Sequence, residues 1–217
     1  MSNNPVVLNF HESLLRVSDV ELLTGPSWLN DTVISFYFEY LEVRKFKNNP
    51  TLLFVPPQVT QCVKITPVQE ISVFLNPLDS GTKDFIFFAL NDNEQTEVSG
   101  GTHWSLLVFS YPEKKIYHFD SSHGSNQYQA MELGSKILLY FGINHCDRIY
   151  EPKCLQQNNG YDCGIHVLAQ CEHLANFALK HRKIETCPAL ERETVQMKRR
   201  DILNLINSLR KPRTYDG

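Results

Sequence analysis

The 217-residue sequence contains no run approaching the roughly 20 consecutive apolar residues that a membrane-spanning helix needs. Its first residues, Met1 to Pro5, carry neither the charged nor the apolar segment of a secretory signal. The expectation is a soluble cytoplasmic or nuclear protein with no membrane partner. An excess of one charge is also missing: the formal net charge is only −3, and the one basic cluster, Lys198, Arg199 and Arg200, reads as the polar side of a late helix. Nucleic-acid binding needs lysines and arginines gathered on one face, so nucleic acid is not an expected partner. No linker, internal repeat or low-complexity stretch divides the chain, and one domain spanning residues 1–217 is expected. The six cysteines, at 62, 146, 154, 163, 171 and 187, include no pair at the spacing of zinc knuckles or thioredoxin-type sites, and free thiols are expected. Tryptophan is scarce, with only Trp28 and Trp104.

What is present reads as helices, then strands, then helices, which is the order of an α+β domain. Val6 to Phe10 has strand character. Ser18 to Glu21 has capping-box spacing and opens a short helix that ends before Gly25 and Pro26. Asn30 or Asp31 caps a second, buried helix rich in aliphatic and aromatic residues from Val33 to Leu41. This capping role also accounts for the glycosylation-like triplet Asn30, Asp31, Thr32. Prolines at 56, 57, 67 and 77 leave room only for short helices. Asp84 to Leu90 is a continuous apolar run of strand length, followed by a polar loop from Asn91 to Gly101 that is expected to move. Trp104 to Tyr111 and Lys115 to Asp120 form a hairpin. Asn126 to Phe141 is helical and stops at Gly142, and Asp147 to Cys154 fits an edge strand limited by Pro152. Cys163 opens an apolar helix after the flexible Gly160 and the possible cap Asp162, and Thr194 to Arg210 forms a last amphipathic helix.

Chemistry concentrates where these elements meet. A thiol attacks a carbonyl as the thiolate, which a helix N-terminus and a nearby imidazole both favour, and Cys163 starts a helix. The amides of Gln156, Gln157, Asn158 and Asn159, together with the backbone N–H of Cys163, are candidate donors to an oxyanion. His103 lies between Gly100-Gly101 and the strand that begins at Trp104. Antiparallel pairing of equal hairpin arms returns Asp120 to the neighbourhood of His103, as an orienting carboxylate requires. His118 shares a strand face with Asp120 and is the competitor for the base, while His123 lies beyond in a turn; His103 is favoured. The histidines at 11, 145, 166, 173 and 181 read as surface or packing residues. Zinc is the competing chemistry, since Cys163 and His166 are three apart with Cys171 further along. A separation of eight does not return to one helix face, however, and neither a metal nor an organic cofactor is expected.

His103-Trp104, Asp120-Ser121, the run from Gln156 to Gly160 and Asp162-Cys163-Gly164, in that order, resemble the motifs of the SUMO-protease family of cysteine peptidases. The resemblance implies a papain-like α+β fold with a central, mostly antiparallel sheet flanked by helices and the catalytic cysteine at a helix N-terminus. It implies Cys163 as nucleophile, His103 as base, Asp120 as its orienter and Gln157 in the oxyanion hole. The family's Trp-Leu-Asn-Asp motif stands as Trp28 to Asp31, and its tryptophan, with Trp104, implies a tunnel for a modifier's Gly-Gly tail. Two flat indoles admit only residues without side chains. Asp31, Asn91 and Asp92 are implied as substrate contacts, with the Asn91–Gly101 loop closing over the tail.

Pro5 to Leu8, Ser13 to Arg16, Ser18 to Val20, Pro26 to Asp31, Ala89 to Asn93 and Gly100 to Val108 are most similar to the family's deneddylating branch, which the absence of a long N-terminal extension also suits. The implied partners are the neddylation modifier and its conjugates, such as cullins, acted on by a monomer through precursor maturation or removal from lysines. A SUMO-specific protease and a catalytically silent modifier-binding protein are the alternatives.

Overall fold

The computed structural model describes residues 4–95, 100–144 and 148–210. Residues 96–99 of the expected loop, His145, Cys146 and the Asp147 start of the expected edge strand lie outside the described residues, as do residues 1–3. β1 (Val6–Phe10) pairs antiparallel with β2 (Ser13–Arg16) in a separate hairpin. The main sheet sets β3 (Leu52–Val55), β4 (Phe85–Asn91), β5 (Trp104–Ser110), β6 (Lys115–Phe119) and β7 (Ile149–Tyr150) side by side in that order. Its centre is antiparallel, but β3 joins β4 and β7 joins β6 in parallel. The sheet is therefore mixed, with the antiparallel centre that was expected and parallel strands at both edges. Each edge strand enters through a helical crossover and not a hairpin, a connection that yields parallel pairing.

The helices are α1 (Val17–Glu21), α2 (Asp31–Tyr40, continued by a π-helical turn over Leu41–Lys45), α3 (Pro57–Ile65), α4 (Ser72–Leu75), α5 (Gln127–Tyr140), α6 (Cys163–His181) and α7 (Arg192–Arg210). Alternate strand residues feed two cores. Phe54, Phe85, Phe87, Leu106 and Val108 point toward α2, α6 and α7, whereas Ile86, Phe88, Leu107 and Phe109 point toward α3, α4 and α5. Burial on both faces explains why β4 and β5 read as unbroken apolar runs. Each fully buried phenylalanine contributes about 1.5–3 kcal/mol.

Several local expectations shift. Ser18 does not cap α1: the N-cap is Arg16, two residues earlier, and its N–H donates to Asp19 Oδ2 at 2.8 Å. The other carboxylate oxygen of Asp19 accepts from Asn30 Nδ2 at 2.8 Å, and Asn30 in turn caps α2 by accepting from the Val33 N–H at 3.0 Å. Strands β2 and β3 were not foreseen, and the described part of the expected edge strand reduces to Ile149–Tyr150. The basic triplet is not a uniformly polar face. Lys198 is buried and donates to Glu172 at 2.6 Å, and Arg199 is largely enclosed, which leaves Arg200 exposed.

Candidate active site

The β5–β6 hairpin carries out the approach its length dictates. Leu106 pairs with Phe119, so Asp120, one residue past β6, comes alongside His103, one residue before β5. His103 Nε2 lies 2.6 Å from Asp120 Oδ1, and both residues are buried. Asp120 also accepts the backbone N–H of Ser122 at 2.8 Å and that of Asn126 at 2.9 Å. Asn126 is the N-cap of α5, so the carboxylate occupies the positive end of a helix dipole. Burial pushes the Asp120 pKa up, but the His103 hydrogen bond and these two amides outweigh it and hold the group below its ordinary value. An ionised carboxylate only accepts, so Nε2 carries the proton and Nδ1 is left to face the thiol.

Cys163 is the first residue of α6, is 2 % exposed, and interacts with His103. Burial works against the imidazolium, yet the hydrogen bond to Asp120 and the interaction with Cys163 raise the His103 pKa to about 9. The site therefore favours the charged imidazolium of His103 beside Cys163.

His118 does not join this line. It is buried with Nε2 3.0 Å from Ser105 Oγ and Nδ1 3.0 Å from Glu151 Oε1. His123 sits in the turn after β6 with φ +51°, its N–H donating to Gln156 Oε1. His166, one turn along α6 from Cys163, is buried, and burial lowers its pKa to about 4. Cys171 is wholly buried near Glu172 and Lys198.

The amide run divides its work. Gln156 Nε2 donates to the Asp120 carbonyl at 2.9 Å, which ties this loop to the hairpin. Gln157 Oε1 accepts from Ser121 Oγ at 2.8 Å, and its Nε2 donates to the Asn159 carbonyl at 2.7 Å. One Nε2–H of Gln157 remains for another acceptor. Gly160 lies in a bend, as expected, and does so without a left-handed backbone. The turn is held by Asn159, whose Oδ1 accepts the N–H groups of Tyr161 at 3.0 Å and Asp162 at 2.9 Å. Asp162 occupies the N-cap position of α6 but makes no side-chain cap. The glycine that closeness requires is Gly164, where an added Cβ would stand 3.0 Å from Leu29 Cβ.

A groove of about 460 Å³ is lined by Cys163 together with Leu22, Trp28, Asp31, Asn91, His103 and Trp104, among others. Trp28 is 50 % exposed, with its indole N–H donating to the Gly160 carbonyl; Trp104 donates to the Leu29 carbonyl at 3.0 Å. Asp31 is exposed at the start of α2 and accepts from Gln58 at 3.1 Å. Asp92 is placed differently. Its oxygens accept Thr102 N and Oγ1, both at 2.6 Å, and His103 N at 3.1 Å, and it is not in the groove lining. It staples the ends of the loop that delivers His103. Gly101 completes that staple: its φ is +95°, and an added Cβ would lie 1.8 Å from Asn91 Oδ1.

Sequence reading missed Lys64, Asn126 and Arg199. Buried Lys64 donates to the carbonyls of Asn91, at 2.6 Å, and Asn93. Asn126 was legible only as a helix start, whose free N–H groups seek an acceptor such as Asp120. Nothing local marks Arg199, which grips segments distant in sequence.

A thiol at a helix start, faced by a buried imidazole–carboxylate pair on an α+β mixed sheet, defines a papain-like cysteine peptidase. The family model for the Ulp1 protease family, C-terminal catalytic domain, matches residues 27–211, and the chain belongs to the Ulp1 protease family. Sentrin-specific protease 8 of Homo sapiens is 38% identical over 211 residues, covering 96% of this chain and 99% of that protein. NEDD8-specific protease 1 of Arabidopsis thaliana is 34% identical over 224 residues, covering 96% and 95%. The solved C-terminal Ulp1 protease domain in complex with Smt3, the yeast orthologue of SUMO, matches with a TM-score of 0.72 at 21% identity, over 96% of this chain and 90% of that one. At that identity the likeness concerns the fold.

Proposed function

We propose that the chain is a deneddylase that cleaves after the C-terminal Gly-Gly of the neddylation modifier, with Cys163 as nucleophile, His103 as base and acid, Asp120 as orienter and Gln157 as oxyanion donor. The observation that carries this reading is the groove lined together by Trp28, Trp104, His103 and Cys163. The names of the relatives, a NEDD8-specific protease among them, support the choice of modifier.

The Cys163 thiolate attacks the carbonyl carbon of the terminal glycine, and a C–S bond forms. The oxyanion is held by the Cys163 N–H at the start of α6 and by the remaining Nε2–H of Gln157. The imidazolium of His103 gives its proton to the departing nitrogen as the C–N bond breaks. The nitrogen is that of a lysine side chain in deconjugation or of a peptide in maturation. Water then adds to the thioester as His103 takes its proton, and the thiolate leaves. Trp28 and Trp104 favour a tail without side chains, with Asp31 and Asn91 offering polar contacts along the groove.

The test is a panel of ubiquitin, SUMO and neddylation-modifier substrates with fluorogenic tails, joined by an electrophilic-tail probe, on the wild type and Cys163→Ala. We expect the neddylation-modifier substrate to be turned over fastest, Cys163 to be captured by its probe, and turnover to fall by at least about 10⁴-fold in the variant. Preference for SUMO would move the assignment to a SUMO-specific protease. Binding without capture would make the chain a modifier-binding protein.

A further inference from the structure

Asp162 presents a problem that the site solves in an unusual way. An aspartate at an N-cap position ordinarily turns its carboxylate onto the first free N–H groups of its helix. At the start of α6 that would place a negative charge beside the Cys163 thiolate and beside the oxyanion held by the Cys163 N–H, while occupying the next amides of the helix. The Asp162 carboxylate makes no such cap. Its Oδ1 accepts Arg199 Nε at 2.9 Å and Nη2 at 2.7 Å, and its Oδ2 accepts Asn159 Nδ2 at 2.7 Å.

Arg199 comes from α7, and its side chain is 16 % exposed. Its remaining donors reach the carbonyls of Leu22 at 2.6 Å, Ser27 at 2.7 Å and Tyr161 at 3.4 Å, and its guanidinium lies 5.6 Å from the centre of the Tyr161 ring. One planar cation thus fastens the segment that ends at Cys163 to the segment that ends at Trp28. A lysine, with a single point of attachment, could not span these acceptors.

We infer that Arg199 is a positioning residue for Cys163: it draws the Asp162 carboxylate off the N-terminus of α6 and neutralises it, so that the positive end of that helix acts on the thiolate and the oxyanion without a neighbouring negative charge. This inference rests on Cys163 being the nucleophile and goes beyond it, because it assigns a role to a side chain that touches neither substrate nor thiol. Among the described residues, the other charged or titratable groups around Cys163 include His103 just before β5, with Asp120 behind it, Asp31 at the start of α2, and His166 on the next turn of α6, which Arg192 at the start of α7 also faces. None of them changes in the comparison that follows.

The experiment measures the rate of iodoacetamide alkylation of the full chain against pH, with the modified cysteine located by peptide mapping, together with steady-state turnover and the melting temperature. Burial pushes the thiols of Cys154 and Cys171 up and that of Cys187 up to about 11, and the peptide map distinguishes Cys163 from Cys62 and Cys146. In Arg199→Met the carboxylate is released toward the helix start. Alkylation of Cys163 near pH 6 is expected to slow by about tenfold, and the acid limb of its profile to move up by about one pH unit. Arg199→Lys should fall between this variant and the wild type. In Arg199→Met/Asp162→Asn the released group is neutral, and the acid limb should return most of the way.

An unchanged profile in Arg199→Met overturns the inference, as does a double variant no better than the single one. A loss that follows only the unfolded fraction given by the melting curve also overturns it and leaves Arg199 a structural clamp. Preferential alkylation of another cysteine in the wild type would instead overturn the assignment of the nucleophile, an outcome read before any variant is compared.

Discussion

The two sides of the groove are held in different ways. His103 and Asp120 flank paired strands, and their geometry follows from hairpin register and from turns closed within a few residues, as in the Asp120 contacts to Ser122 and Asn126. Cys163 and Trp28 end irregular segments whose backbone carbonyls are gathered by an arginine 172 residues from Ser27 in sequence and 177 from Leu22. The first side is built from local hydrogen bonds and burial in a sheet. The second depends on one desolvated cation. Substitutions on the strand side should therefore strike the chemistry, while those on the loop side should strike alignment and binding.

The sharpest way to break this contrast is Asp120→Asn, which removes the carboxylate and leaves its shape. We expect kcat/KM to fall by about 10³–10⁴-fold. The pH behaviour should change with it. In the wild type His103 is raised to about 9 from an ordinary 6.5, so the stability it contributes is fully present below about pH 6.5 and is lost as pH rises through 9. Cleavage should show its alkaline limb near the upper value, and in Asp120→Asn both the limb and the stability loss should move toward neutral pH. An alkaline limb that stays near pH 9 would show that Asp120 does not set the imidazole's charge.

Next in size is Gly101→Ala, which tests whether the loop that presents His103 tolerates any change. With φ at +95° and an added Cβ 1.8 Å from Asn91 Oδ1, the staple formed by Asp92 must open. The expected cost is about 1–3 kcal/mol in urea unfolding and on the order of 10–100-fold in kcat/KM. Wild-type values in both would mean that the staple does not position the base.

The smallest effect on the fold should come from Trp28→Ala, on the other side. Half of that indole is already exposed, so stability should change by no more than about 0.5 kcal/mol. KM for a modifier substrate should rise about tenfold with kcat nearly preserved, the signature of lost binding. A large drop in stability would instead make Trp28 a core residue.

These contrasts follow how legible each side was. The approach of Asp120 to His103 could be read because antiparallel arms of known length meet at predictable positions, and Cys163 because glycine and aspartate precede a strong helical pattern. The helix of Cys163, the buried α2 and the two-sided strand β4 all followed from periodicity and run length. The parallel edges of the sheet could not be read, because β3 and β7 are short and are placed by the helices that deliver them. The true box of α1 was displaced from Ser18 because the Asp19 carboxylate serves both the Arg16 N–H and Asn30, and the second partner comes from another element.

By itself the sequence determined the order of the reactive residues, the hairpin that joins base to carboxylate and the helix that begins at the thiol. All of these follow from hydrogen-bond patterns and residue spacings that repeat within a few positions. Only the tertiary structure decided which way the Asp162 carboxylate points, what the basic residues of α7 do and how Trp28 is held beside Cys163. Those outcomes rest on a largely enclosed guanidinium's need for several acceptors at once, and the acceptors come together only after the chain has folded.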